Sequence, residues 1–142
     1  MAIQGIFAVL KYKVGGFADP AAWSDLTNVK DVTTTLTSGE ADFTSRANLG
    51  WKSTLTTLNE ATIEFEMIWE PNDPGFLAIR DAYLNRTIIG LAPLDSAGAT
   101  GDGIVADWSI SSFSIPQPLE EVITVSVTAK LSKFSVWTTT GV

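Results

Sequence analysis

The sequence predicts a mainly β fold, a β-sandwich or partial barrel with one flanking α-helix and one long extended arm. Three observations predict it. Thr, Val, Ile and aromatic residues dominate between Gly and Pro turns. Several segments alternate apolar and polar residues with a period of two. Only one stretch carries a 3.6-residue apolar period behind a helix-start signal. At 142 residues, one domain spanning 1–142 is the expectation, and size scaling buries about two-thirds of the open chain's surface, enough for a core without staples.

Taken in chain order, Ile3 to Lys13 is the first strand candidate. Val32, Thr34 and Leu36 then alternate with Thr33 and Thr35. Residues 37–59 hold Gly39, Gly50 and scattered Thr and Ser, yet also Phe43, Leu49, Trp51, Leu55 and Leu58. A connection that long is uncommon in a small domain. Two readings stand: a β-hairpin turning at Ser38-Gly39-Glu40 followed by a loop, or an arm whose apolar side chains are buried by a neighbouring subunit. Ala61 to Glu70 puts Ile63, Phe65, Met67 and Trp69 on one face and Thr62, Glu64, Glu66 and Glu70 on the other, with Ile68 the exception.

The helix is expected over 74–84, with Asp73 as N-cap, Pro74 at the first helical position and Asn85 at the far end. Phe76, Leu77, Ile79, Tyr83 and Leu84 form its apolar face, and Arg80 is either an edge side chain covering a neighbour or half of an interface ion pair. Residues 94–103 read as a glycine-rich surface loop. Ile104 to Ile110 points Ala106 and Trp108 inward and Val105, Asp107 and Ser109 outward. Phe113 and Ile115 take the opposite phase, which a bulge at Ser111 and Ser112 would explain. Glu121 to Leu131 is the last alternating run, with Ile123, Val125, Val127, Ala129 and Leu131 on its apolar face.

Composition removes much of function space. There is no Cys and no His, so disulfides, thiolate nucleophiles, imidazole bases and the usual zinc ligands are out. The chain carries 9 basic and 16 acidic residues, net −7, with no Lys/Arg cluster to grip phosphates. Acid is concentrated between Lys52 and Arg80, where Glu60, Glu64, Glu66, Glu70 and Asp73 meet no positive residue. The N-terminal apolar stretch lacks the basic start and cleavage pattern of a signal peptide, and no run reaches a membrane span of about 20 apolar residues. The expectation is folding in a cytoplasm, with no membrane.

Several constellations have a sharp and a bland reading. Gly98, Gly101 and Gly103 lack the Lys-Ser/Thr of a phosphate cradle and read as a flexible loop. Asp95, Asp102 and Asp107 match no calcium loop. Neither a metal nor a cofactor is expected. Glu64 and Glu66 lie about 7 Å apart on a strand face, near the spacing of inverting glycosidase carboxylates, but same-face acids on a strand are ordinarily solvated. Trp69 and Trp108 sit on apolar faces, leaving Trp23, Trp51 and Trp137 free to stack sugars in a carbohydrate-binding module, the competing class.

TSGEADFTSRANLGW (37–51), ATIEFEMIWE (61–70) and NDPGFLAIRDAYLN (72–85), framed by YKVGGFADPAAWSDLTNVKDVT (12–33) and GDGIVADWSISSFSIPQPLEEVITVSVTAKLS (101–132), together resemble the tail tube, or major tail, proteins of long-tailed bacteriophages. The resemblance implies a structural, non-enzymatic virion protein assembled in the host bacterial cytoplasm. Subunits would form hexameric rings that stack into a tube conducting the genome, with tail terminator and tail-tip proteins as further partners. DNA would pass without tight binding. It also implies that the 37–59 arm bridges subunits and rings, with Glu40, Asp42, Arg46 and Trp51 as contact residues. Strand alternation adds Glu64 and Glu66, with Asp107 behind them, as acidic lining of the lumen; the other reading puts that face on the tube exterior or at a junction. The inner tubes of contractile tails and of type VI secretion share this fold class and remain alternatives.

Overall fold

The computed structural model describes residues 2–142. Seven strands and one helix follow in the order β1 (Val9–Val14), β2 (Ser24–Asp25), β3 (Val29–Asp42), β4 (Thr54–Ile68), α1 (Pro74–Leu84), β5 (Ile88–Leu94), β6 (Gly103–Ser114) and β7 (Thr124–Thr138). All pairings are antiparallel, in one sheet ordered β2-β1-β5-β6-β7-β4-β3. The fold is mainly β with one flanking helix.

Chain connectivity curls this sheet into a partial barrel. β2 and β3 are its opposite edges, yet only Leu26, Thr27 and Asn28 join them, a link that can span no more than about 14 Å. Leu26 N–H donates to the Leu10 carbonyl on one side, while Asn28 exchanges backbone and side-chain bonds with Ile68 on the other. The edges approach without pairing, leaving a groove of about 950 Å³ between Val9 and Leu10 and the 29–34 stretch. Inside the curl lies one apolar core, in which Leu10 and Tyr12 of β1 join Ile63, Phe65 and Met67 of β4, Trp108 of β6, and Val125 and Val127 of β7.

α1 packs its buried face into the core beside β6 and β5. The Asp73 carboxylate accepts from Phe76 N–H at 3.1 Å, satisfying one orphan donor of the first turn. At the other end Asn85 occupies the C-cap in right-handed geometry, and Arg86 takes the left-handed turn (φ 56°). Its N–H bonds Tyr83 O while Thr87 N–H bonds Ala82 O, the Schellman pattern. The helix buries Gly75, Phe76, Ile79 and Ala82, a narrower face than its sequence suggests; Tyr83 and Leu84 are exposed. Phe76 meets Trp69 and Phe113 edge-on at 5.1 and 6.1 Å. Arg80 is an edge side chain whose guanidinium pairs with neighbouring Asp81.

Other expectations are corrected. The 3–13 strand starts only at Val9, because Gly5–Phe7 forms a 3₁₀ turn that leaves Ile3, Ile6 and Phe7 exposed. β7 begins at Thr124 but runs on to Thr138. β5 was hidden by Gly90 and by Pro93, which has no ladder N–H to give. The bulge is where the phase change requires it: Ile110 pairs Ala129 and Ser112 pairs Thr128, so Ser111 is extra and Phe113 returns to the core.

Candidate functional site

Strand registers assemble a polar wall on the solvent side of β3-β4-β7-β6. Alternation assigns the face: Ile63, Phe65 and Met67 enter the core, so Glu60, Thr62, Glu64 and Glu66 point away from it. Pairing then carries each residue across the sheet. Thr33, Glu64, Thr128 and Ser112 form one row. Thr35, Thr62, Lys130 and Ser109 form the next, and Glu66, Ser126 and Ser114 another. The wall is thus a field of hydroxyls carrying three carboxylates, Glu60, Glu64 and Glu66, and one ammonium, Lys130. None of these side chains is buried.

Asp107 does not belong to this wall. It points outward from the core as alternation requires, but the 15–23 segment folds over it, and it is only 6% exposed. Its carboxylate accepts Phe17 N–H at 2.6 Å. Register places Lys13, Gly90 and Asp107 in one row across β1, β5 and β6. A side chain on Gly90 would meet the Trp23 ring at 2.9 Å, so the glycine is the seat of that indole. Lys13 Nζ donates to Phe17 O and lies 5.3 Å from the Trp23 ring centre and 5.8 Å from that of Phe17. A second small core of Ala92, Leu94 and Val105 lies under the same segment. Val105, expected outward and wet, is therefore buried too.

The arm is the outer half of the β3-β4 hairpin. Pairing continues through Ser38 and Asn59 to Asp42 and Thr54, so the chain turns at 43–53, not at Ser38-Gly39-Glu40, where there is a bulge instead. Every arm residue from 37 to 59 is exposed except half-buried Asn48 and Ser53. Glu40 and Asp42 lie on the shaft, Arg46 opens a 3₁₀ turn at the tip and Trp51 follows it. The tip is tied down: Asp42 accepts from the Thr44 hydroxyl and N–H, Phe43 N–H bonds Ser53 O, and the Asn48 amide bonds Trp51 O and the Ser53 hydroxyl. The Thr44 hydroxyl first, and then its N–H, holds the Asp42 carboxyl below its ordinary value. At the apex Leu49 adopts φ 51° and is 88% exposed, and Trp51 is 77% exposed.

The surface departs from that of a compact monomer. The chain exposes 9238 Å², against roughly 7,100 Å² expected at its mass. The excess, about 2,100 Å², is of the order of a stable protein–protein interface. Of the tryptophans open to surface duty, Trp23 is half-buried over Gly90, while Trp137 donates to Asp102 at 2.5 Å and Trp51 stands alone. Among the described residues no group of three or more acids clusters as metal ligands, and no helix is long and apolar enough to cross a membrane. Sequence reasoning did not bring Glu60 and Lys130 together with Glu64 and Glu66 on one wall, and it counted Leu49 among the arm's apolar residues without setting it at the apex. Cross-strand register, absent from a single strand's pattern, would have found the first two.

No family model matches the sequence, and no curated protein matches it. Solved structures do. A chain of the tail of an empty gene transfer agent particle, refined with C6 symmetry, superposes with a TM-score of 0.80 at 13% identity, covering 96% of this chain and 99% of that one. The SPP1 tail tube gives 0.70 at 17% identity over 95% and 81%. A chain of the anti-feeding prophage baseplate, 6-fold symmetrised, gives 0.62 at 9% identity over 95% and 94%. The chain therefore has the fold of virion tail-tube subunits. At these identities the likeness is one of fold, spanning nearly the whole chain.

Proposed function

We propose that this protein is the structural subunit of a bacteriophage tail tube: copies join side by side into hexameric rings, and rings stack into the conduit for the genome. One observation carries the reading. The polar wall is bounded on both sides by unpaired strand edges. Among the described residues β3, 14 residues long, pairs only with β4. On the other side, β5 pairs β6 no further than Ser109, so the Ile110–Ser114 end of β6 has no partner there. Long open edges are a liability in a monomer and a joint in an assembly. Joining β3 of one copy to the β6 end of the next would make a continuous ring of walls. Val32 and Leu36, which face the core side of β3 yet stay exposed, would be covered by that neighbour.

The six-fold count is supported by the symmetry of the gene transfer agent tail and prophage baseplate. In the ring Glu64 and Glu66 line the lumen, where they repel a passing polyanion. DNA slides past without tight binding, and terminator and tail-tip proteins cap the two ends. The arm, through Glu40, Asp42, Arg46 and Trp51, reaches a neighbouring copy. The protein resides in the virion tail after assembly in the host cytoplasm, and its role is architectural, not enzymatic. Negative-stain microscopy of the purified protein tests the reading: rings or tubes about one subunit thick in the wall are expected, and a species that stays monomeric at every concentration refutes it.

A further inference from the structure

We infer that residues 15–23 form a latch over a latent self-association face: closed, they cover the solvent side of β1-β5-β6, and released, that face pairs with the same face of a second copy. The tube joint uses the edges of β3 and β6, so the two surfaces are separate. The latch is built to move as a unit. None of its residues belongs to a strand, and only Gly16 among them is buried. Its first two residues, Gly15 and Gly16, hold φ of 92° and 89°, a region that glycine alone enters freely. Its own turn keeps it in shape: Asp19 N–H donates to Gly16 O, and Ala21 N–H to the Asp19 carboxylate at 2.8 Å.

Two anchors hold it. Trp23 lies over Gly90, and the Phe17 backbone is clamped at both groups, its N–H by the Asp107 carboxylate at 2.6 Å and its carbonyl by Lys13 Nζ at 3.1 Å. Closure leaves Lys13 8% and Asp107 6% exposed, and among the described residues neither has an ion-pair partner. Opening returns water to both charges, which offsets the apolar surface it uncovers. A segment with so few buried residues opens without unfolding the barrel. The face beneath carries Val105 and Ala92, both fully buried, around a floor kept low by Gly90. Its charges select a second copy as the occupant. Register sets Lys13 and Asp107 one strand to either side of Gly90, each about 4.8 Å away. A two-fold axis along β5 therefore lays Gly90 and Ala92 on their counterparts and sets Lys13 of each copy over Asp107 of the other, an isologous contact. Lys133, next in the row on β7, is exposed and falls outside this reciprocal pair.

The chain has no cysteine, so one introduced thiol reports opening. Ala92→Cys, under the latch, should react with a maleimide about a hundredfold faster than Ala129→Cys in the main core, because local opening is easier than global unfolding. Phe17→Pro, which removes the clamped N–H, should quicken labelling at 92 about tenfold and leave 129 unchanged, whereas Phe17→Ala keeps both backbone bonds and should alter it no more than about threefold. Equal labelling at 92 and 129 would overturn the latch, since 15–23 would then open only with the whole fold. Gly16→Ala with Trp23→Ser releases both anchors and keeps Lys13, Gly90 and Asp107. At concentrations where the unmodified protein stays dispersed, this variant should sediment as a dimer. Adding Asp107→Lys should return it to monomer, and adding Lys13→Asp to that should restore the dimer. A released protein that stays monomeric, or whose association ignores these charge changes, would overturn the face. An unmodified protein that never forms rings or tubes would sink the tube reading and leave these outcomes untouched.

Discussion

Replacing Asp107 with Ala separates two roles that its position on β6 could serve. If the carboxylate anchors the 15–23 segment, its removal leaves Phe17 N–H without the 2.6 Å acceptor and Lys13, itself 8% exposed, without the nearby negative charge in its row. Loss of a charge-assisted bond to a partly buried donor is worth about 2 kcal/mol. For a chain of this size that is a fall of about 6 °C in melting temperature. Asp107→Asn keeps an acceptor oxygen in place and should lose about half as much. The loss is local before it is global, so amide exchange at Phe17 and through 21–23 should quicken most while the Ile63–Met67 core amides change least, both measured at one protein concentration because assembly itself stabilises. Gly16→Ala should phenocopy the change, since a methyl there would lie 2.8 Å from the Asp107 oxygen at φ +89°. An Asp107→Ala protein within 0.5 kcal/mol of the unmodified one, with unchanged exchange at 17–23, would refute the anchor.

Asp73→Ala removes the N-cap acceptor of Phe76 N–H and should cost about 1 kcal/mol by urea denaturation. Because the Asp42 pKa is lowered from 3.8 by Thr44, its contribution to tip order is complete above the unfolded value and disappears as pH falls through the lower folded one; the Thr44 amide should become more exchangeable only below about pH 4, and a tip that loosens at neutral pH would contradict this. Glu64→Lys with Glu66→Lys, at solvated wall positions, should change stability by no more than about 0.5 kcal/mol and leave tubes intact, but phage carrying them should adsorb normally and eject DNA slowly. The unmodified protein should show no submicromolar DNA affinity at ~0.15 M salt, measured by filter binding.

Alternation in β4 and β7 was legible residue by residue, because a two-sided strand writes its faces into the sequence. The same rule misread β6. Gly103 to Trp108 is buried on both sides, the inner side by the barrel and the outer by a segment some 90 residues earlier, and period-two logic cannot see a covering that comes from so far along the chain. Pro93 and Gly90 disguised β5 because each is a strand breaker in isolation; in place, Gly90 seats Trp23, and Pro93 lies where Gly103 brings β6 close.

The arm shows the division most clearly. Its unplaced apolar residues left 37–59 open between a hairpin with a loop and an arm covered by a neighbour, and the turn residues at Ser38-Gly39-Glu40 suggested the wrong place to reverse. Gly39 instead sits in a bulge where β4 holds one extra residue, and the hairpin runs on to Asp42. The sequence by itself determined the helix and its cap, the strands that alternate, the core face of β4 and β7 and the acidic, histidine-free chemistry, all of which depend on neighbours within a few residues. Tertiary structure alone decided which strands share the wall, which carboxylates are wet, and which edges stay open, because those depend on pairings between strands far apart in the chain, and local propensity carries no record of them.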